Sequence, residues 1–276
     1  MVKVNFHAHT TASDGKLSAE QVIEEAIKDK IDFLCITDHY PAPENLDPYG
    51  KDFFKEGHFE NLTKLKEKYK EKINISIGVE FDWINGFDEW YKKEISKKPY
   101  DFLIGSVHAL FTKDNTLSGF WDKKEDLKKF IEKIGGSKKY VKEYYVQVRN
   151  MVKSNLFDCV GHLDIIKINN QNNSLFSETD EWYKKEILKT LDLIAKEKMA
   201  IEVNSRGLVK GDEQYPSKFI LIEARKRNIP LTVGTDFHAA GENEPYLGQL
   251  YKIAKEAGYA EICIFKKRKQ IEVPLD

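Results

Sequence analysis

No stretch of this 276-residue sequence approaches the roughly 20 consecutive apolar residues that span a bilayer, so no membrane partner is expected. Neither sign of charge dominates. Lys and Arg number 44 against 45 Asp and Glu, a formal charge of −1, which removes the global basic field that a nucleic-acid partner calls for. An anionic ligand must then be drawn by a local charge, and bound metals would supply one. Cysteine is scarce: Cys35, Cys159 and Cys263 are all that occur, each inside an apolar run. An odd, widely spaced set excludes a disulfide framework and reads as small buried hydrophobes in a reducing compartment, the cytoplasm. The start, MVKVNFHAHT, lacks the basic and apolar regions of a secretory signal. Gly/Ser/Pro-rich linkers, internal repeats and low-complexity tracts are also missing, which leaves one domain over residues 1–276 as the expected organisation.

What is present alternates. Strand candidates are 2–6, 33–37, 73–79, 102–107, 157–161, 200–203 and 230–235, each short, β-branched and aromatic, as buried parallel strands are. Periodic, charged helices are expected between them at 19–29, 58–69, 87–97, 138–153, 181–198, 217–227 and 247–257. Ser18 with Gln21 forms a capping box before the first, and Pro216-Ser217 opens the sixth. A late run, 261–265, reads as one more strand. Seven βα units predict an α/β fold, a closed or nearly closed barrel in preference to a doubly wound open sheet. The longer segments 40–57, 110–121 and 165–177 would overhang one rim and shape a pocket.

Six of seven histidines stand where an apolar run stops: His7 and His9, His39, His108, His162 and His238, in VNFHAH, FLCITDH, FLIGSVH, FDCVGH and LTVGTDFH. Histidines at the carboxyl ends of successive strands converge on the rim where α/β barrels build their sites. Carboxylates join them: Asp38, Glu80 after ISIGVE, and Asp236. Imidazole and carboxylate without thiolate suit several divalent metals. His7 and His9, at i and i+2 of an extended backbone, point to one side and reach one cation. Asp236 and His238 repeat that spacing. Asp14, in Ser13-Asp14-Gly15, is a turn aspartate raised by its place beyond the histidine pair. Of Asp38 and His39, one is a ligand and the other orients it. Any one of these residues has a packing explanation; six histidines with the carboxylates Glu80 and Asp236 at strand ends do not. His58 differs, falling at the start of a helix read as solvent-facing. Arg206, in IEVNSRG, is placed to clamp a phosphate or carboxylate, with Ser205 beside it. Lys210 and Tyr215-Pro216 lie nearby, and lysine-rich stretches such as 64–72 read as solvated faces.

Taken in order, His7-Ala8-His9-Thr10, Ser13-Asp14-Gly15, Thr37-Asp38-His39, Gly78-Val79-Glu80, Ser106-Val107-His108, Gly161-His162-Leu163-Asp164 and Gly234-Thr235-Asp236-Phe237-His238 resemble the polymerase-and-histidinol-phosphatase (PHP) superfamily. GVEFDW, GHLD and EVNSRGL are similar to the branch acting on L-histidinol phosphate. The resemblance implies a distorted (β/α)7 TIM-like barrel holding three divalent transition-metal ions. It implies His7, His9, Glu80 and Asp236 on one metal, a shared Glu80 with His108 and His162 on the second, and Asp14, His39 and His238 on the third. Some relatives carry histidine where Asp14 stands here, which makes the third site more oxygen-rich, so iron or manganese fits the mixed nitrogen and oxygen ligands as well as zinc does. Six positive charges against Asp14, Glu80 and Asp236 leave about three to hold a phosphate dianion and one metal-bridging hydroxide. Glu80, Asp236, His238 and Arg206 are the candidates for carrying hydrolysis of a small-molecule phosphate monoester, and no leaving-group acid is singled out. Other phosphate monoesters (sugar phosphate, phosphotyrosine, nucleotide) and a non-catalytic metal- or phosphate-binding role are the alternatives.

Overall fold

The computed structural model describes residues 2–43, 46, 57–111, 117–120 and 122–275. Seven parallel strands follow one another around a barrel: β1 (Val4–Asn5), β2 (Phe33–Ile36), β3 (Asn74–Asp82), β4 (Phe102–Ser106), β5 (Cys159–Val160), β6 (Ala200–Asn204) and β7 (Leu231–Gly234). Each pairs with the next, in registers such as Val4 with Phe33, Glu80 with Ile104, and Thr232 with Glu202. Backbone bonds return from the last strand to the first: Phe6 N to Val233 O at 2.8 Å, then His9 N to Phe237 O at 2.8 Å. The fold is a distorted (β/α)7 TIM-like barrel. β4, β6 and β7 are buried at every residue, as sheets covered on both faces are.

The helices expected from periodicity are present within a few residues, at Ala19–Lys28, His58–Tyr69, Asp88–Ser96, Ser137–Ser154, Glu181–Glu197, Lys218–Lys226 and Glu244–Glu256. The Ser18/Gln21 capping box forms with both reciprocal bonds. Pro216 lies two residues before its helix, ahead of Ser217 at the N-cap, whose N is bonded to Asp164 Oδ2 at 2.9 Å.

Three differences have local causes. Helix Lys124–Ile134 is an addition to the expected set: KEDLKKFIEKI is dominated by charge, and only Leu127, Phe130 and Ile131 give it a buried stripe. The run at 261–265 is not an eighth barrel strand but half of an antiparallel hairpin, Glu261–Lys266 with Lys269–Pro274. Its second strand is mostly exposed and so shows no apolar run. The hairpin packs below the barrel, Phe265 stacked on Phe102 at 4.6 Å between centroids. β3 runs three residues beyond Val79, which sets Glu80 inside the strand instead of after it. Of the segments expected to overhang the rim, most of 40–57 and part of 110–121 lie outside the described residues. Ala109–Phe111 pairs with Leu117–Gly119, and the third segment holds two short 3-10 turns.

Among the described residues, no helix is long and apolar enough to cross a membrane. The three cysteines are buried and unpaired.

Candidate metal centre at the barrel rim

Each strand end turns its polar residues inward because the barrel interior behind it is filled with apolar side chains. After β1 the chain stays extended through Ala8, which bridges Phe237, and His7 and His9 both face the centre with 0% exposure. Their Nε2 atoms stand 3.0 Å apart. Glu80 Oε2 lies 3.1 Å from His7 Nε2, 3.4 Å from His9 Nε2 and 3.2 Å from His39 Nδ1. Its other oxygen, Oε1, lies 3.0 Å from His162 Nε2 and 3.5 Å from His108 Nε2. One carboxylate thus reaches five imidazoles. Asp236 Oδ1 comes within 3.3 Å of His9 Nε2 and 3.8 Å of His7 Nε2.

The spacing 236–238 does not repeat the extended geometry of the first pair. Asp236 has a left-handed φ of 54°, a conformation aspartate tolerates better than most residues. The turn leaves His238 Nε2 3.2 Å from Asp14 Oδ2. His39 Nε2 is 3.9 Å from the same oxygen. All nine expected ligands therefore meet. Among the described residues the tight groupings are His7, His9 and Asp236; Glu80, His108 and His162; His9, Asp14 and His238; His9, His39 and Glu80; and His39, Asp82 and His108, the last bringing in a carboxylate outside the expected set. His39 sits between Asp14 and Glu80, and His9 belongs with both neighbours.

Nitrogens facing one another at 3.0 and 3.1 Å, as in His7 with His9 and His108 with His162, match the separation of two ligands about 2.0–2.1 Å from one cation. Charge agrees. Burial opposes ionisation of Glu80 and Asp236, yet the surrounding histidines hold both carboxyls well below the ordinary range. His9 is lowered to about 4 by burial and by His238 and His39, against Asp236 and Asp14. His7 goes the other way: burial pushes it down, but Glu202, Glu80 and Asp236 carry it well above its usual value. Buried carboxylates in this number demand positive charge. The donor set fits divalent cations.

The residues behind the ring were mostly not read from sequence. Asp82 accepts from His108 Nδ1, and the Asp236 carbonyl lies 2.7 Å from His238 Nδ1. Of the pair Asp38 and His39, the structure brings His39 to the ring and sets Asp38 behind it. Asp38 accepts from Thr10 N at 2.6 Å, Ser13 Oγ at 2.6 Å and Thr10 Oγ1 at 2.9 Å. His58 corrects an expectation: it is buried, with Nε2 2.9 Å from Asp38 Oδ2, and does not face solvent. A helix N-terminus packed on a buried aspartate looks the same in sequence as an exposed one.

Above the ring, a cavity of about 280 Å³ is lined by seven of the nine together with Arg206 and Lys210. Arg206 is mostly buried and reaches Glu242 Oε2 at 3.5 Å. Glu242 also accepts from His238 N at 2.7 Å, which ties the arginine to the last strand's turn. Burial and Arg206 together lower Lys210 to about 8, against Asp236. Ser205 is a second correction: fully buried, its hydroxyl donates to the Thr235 carbonyl at 2.8 Å and not to the cavity.

A family model described as "PHP domain" matches residues 5–206. Histidinol-phosphatase of Lactococcus lactis is 26% identical over 283 residues, covering 96% of this chain and 94% of that protein. Histidinol-phosphatase of Bacillus subtilis is 27% identical over 260 residues, covering 88% and 96%. Among solved structures, histidinol phosphate phosphatase from Lactococcus lactis, complexed with zinc, L-histidinol and phosphate, superposes with a TM-score of 0.78 at 24% identity over 98% of each chain.

Proposed function

The chain belongs to the PHP domain family, and we propose that it is a metal-dependent phosphatase that cleaves L-histidinol phosphate to L-histidinol and phosphate. The observation that carries this reading is the nine-residue ring under a cavity with two cations at its edge. Curated relatives that span nearly the whole chain are histidinol-phosphatases, which narrows the substrate.

Three divalent ions are the loading the ring favours. His7, His9, Glu80 and Asp236 would hold one, Glu80, His108 and His162 a second, and Asp14, His39 and His238 a third, with His9 near enough to join the last. Oxygen from Asp14 in place of a nitrogen keeps iron and manganese in contention with zinc. Bound there, the ions would supply Lewis acidity, offsetting phosphate charge and lowering the pKa of water in contact with them.

The chain's own residues do the rest. Glu80, Asp236 and Asp14 stay ionised and offset the cations' charge. Arg206 presents a planar fork of donors to phosphate oxygens at the cavity edge, oriented by Glu242. His238 closes the wall beside it, its ring held by the Asp236 carbonyl. His58, Thr10 and Ser13 fix Asp38, and through it the turn that carries Asp14.

The closing strand β7 and the ligands Asp236 and His238 lie beyond residue 206, so residues 1–276 are read as one domain. Unpaired buried cysteines favour a reducing cytoplasm. A panel of phosphate monoesters (L-histidinol phosphate, a sugar phosphate, phosphotyrosine and a nucleotide) on metal-loaded protein, read by free phosphate, tests the substrate. A kcat/KM highest for L-histidinol phosphate supports the reading; a higher value for another ester replaces it.

A further inference from the structure

Glu202 sits in the middle of β6 with 1% of its surface exposed, a carboxylate inside the apolar run AIEVN. It belongs to none of the ligand groups. Its two oxygens do separate work. Oε2 lies 2.9 Å from His7 Nδ1, and Oε1 accepts from His162 N at 2.7 Å and Asn204 Nδ2 at 2.9 Å.

The neighbouring strands leave room for it. On β7, a methyl group at Gly234 would come 2.5 Å from His7 Cβ and 2.7 Å from Glu202 Oε2. Just past β5, a methyl at Gly161 would meet Ser106 Oγ at 2.2 Å and Glu202 Oε1 at 3.5 Å. Glycine at 234 is what lets a side chain of β6 pass β7 and reach β1; at Gly161 the tight neighbour is Ser106, and Glu202 is only in ordinary contact.

We infer that Glu202 is a positioning residue for two metal positions at once, fixing the His7 ring through its Nδ1–H and the His162 turn through its backbone N–H. A carboxylate oxygen paired with a ligating imidazole is the acceptor, so at this contact His7 Nδ1 is the donor. With a cation in place of the second proton, Nε2 would be left to ligate, and Nε2 is the atom that faces His9 and Glu80. Glutamine has the same shape but exposes an amide N–H₂ to one of the two contacts. If the amide faces His7, the ring must accept at Nδ1 and carry its proton on Nε2, where it ceases to be a ligand. If the amide turns to His162 N, two donors face each other.

The test rests on the reading of His7 as a ligand and is built to separate the two. Zinc affinity is measured by chelator competition on Glu202→Gln, Glu202→Asp, His7→Ala and His7→Ala/Glu202→Gln, with zinc-loaded protein examined by ¹⁵N NMR of the histidine rings. Glu202→Gln is expected to weaken the affected zinc by about 10- to 100-fold, the scale for removing a partner that orients a ligand. Glu202→Asp, which keeps the charge but withdraws the oxygen, should fall between. In the His7→Ala background the second change should add less than about threefold beyond the His162 contribution, because the two act through one contact. The ¹⁵N pattern of His7 should show Nδ1–H in the parent. Zinc loss in His7→Ala with none in Glu202→Gln overturns this inference and leaves the metal centre standing; unchanged zinc in His7→Ala overturns both. Should Glu202→Gln fail to fold, Glu202→Asp and the parent ¹⁵N pattern still decide, and an Nε2–H signal for His7 refutes the assignment.

Discussion

Glu80→Gln removes the group on which the whole ring is centred. Both oxygens of Glu80 are committed, Oε1 between His162 and His108 with Ser106 Oγ donating at 2.6 Å, and Oε2 among His7, His9 and His39. Glutamine keeps the volume but turns one acceptor into a donor, so one side of the bridge must face imidazole nitrogens that have no acceptor left to offer a cation. It also takes away one of three negative charges set against the metals. Removing a single electrostatic element of a preorganised site costs roughly 10²–10³ in kcat, and the bridging position argues for the top of that range. The expected loss is therefore about 10³-fold or more, near 4 kcal/mol of transition-state stabilisation. Phosphate release from L-histidinol phosphate, with metal content measured on the same preparation, is the assay. Metal per chain should fall along with kcat. A variant retaining more than about a tenth of kcat with full metal would refute the reasoning, since no bridging carboxylate could be so dispensable.

Arg206→Ala should leave metal content intact and lower kcat/KM; a desolvated charged pair is worth about 2–5 kcal/mol, discounted toward the low end because Arg206 is 19% exposed and already shared with Glu242. Arg206→Lys should recover part of this, and an equal loss on L-histidinol phosphate and an aryl phosphate is the check that the phosphate is what it holds. His58→Ala strips a partner from the fully buried Asp38 and should destabilise by about 1–3 kcal/mol in denaturant unfolding, with no change placing His58 outside the fold's support. Burial raises the Asp101 carboxyl, but Lys66 and the amides of Ile77 and Lys267 outweigh it and hold the group below its usual value. A depressed folded value contributes stability above the unfolded carboxylate pKa, about 3.9, and loses it as pH falls through the folded one. The Tm gap between the parent and Asp101→Asn should thus be full at neutral pH and close below about pH 4; a gap that is constant with pH contradicts the assignment.

Sequence made the barrel's strands and its metal-binding rim legible because both follow from one local pattern, an apolar run ending in histidine or carboxylate. His7, His9, His39, His108, His162 and His238 are such endings, and the structure brings all six together. What supports them is invisible to that pattern. Glu202 and Asp82 lie 195 and 26 residues from the histidines they touch, and only the barrel closes those distances. A signal existed even so: a carboxylate within AIEVN is as costly to bury as one that follows ISIGV, and each demands a partner. Asp82, two residues past Glu80 on the same strand, shares its face for the same reason that His9 shares that of His7. His58 and Ser205 were misplaced because exposure of a helix start, or the direction of a serine hydroxyl, is set by what packs on it. The terminal hairpin escaped notice through its polar second strand, although its turn is held by Lys267 N on Asp101 Oδ1 at 3.0 Å and by Arg268 on Asp158.

The central claim is that hydrolysis depends on cations held by the strand-end ring. Elemental analysis of protein purified without chelator, paired with phosphate release from L-histidinol phosphate before and after chelator treatment and metal return, tests it most directly. The account predicts about three equivalents of zinc, iron or manganese per chain for nine ligands in mixed nitrogen and oxygen sets, activity lost on stripping, and activity regained on reloading. Metal-free protein that still releases phosphate at the full rate would contradict it.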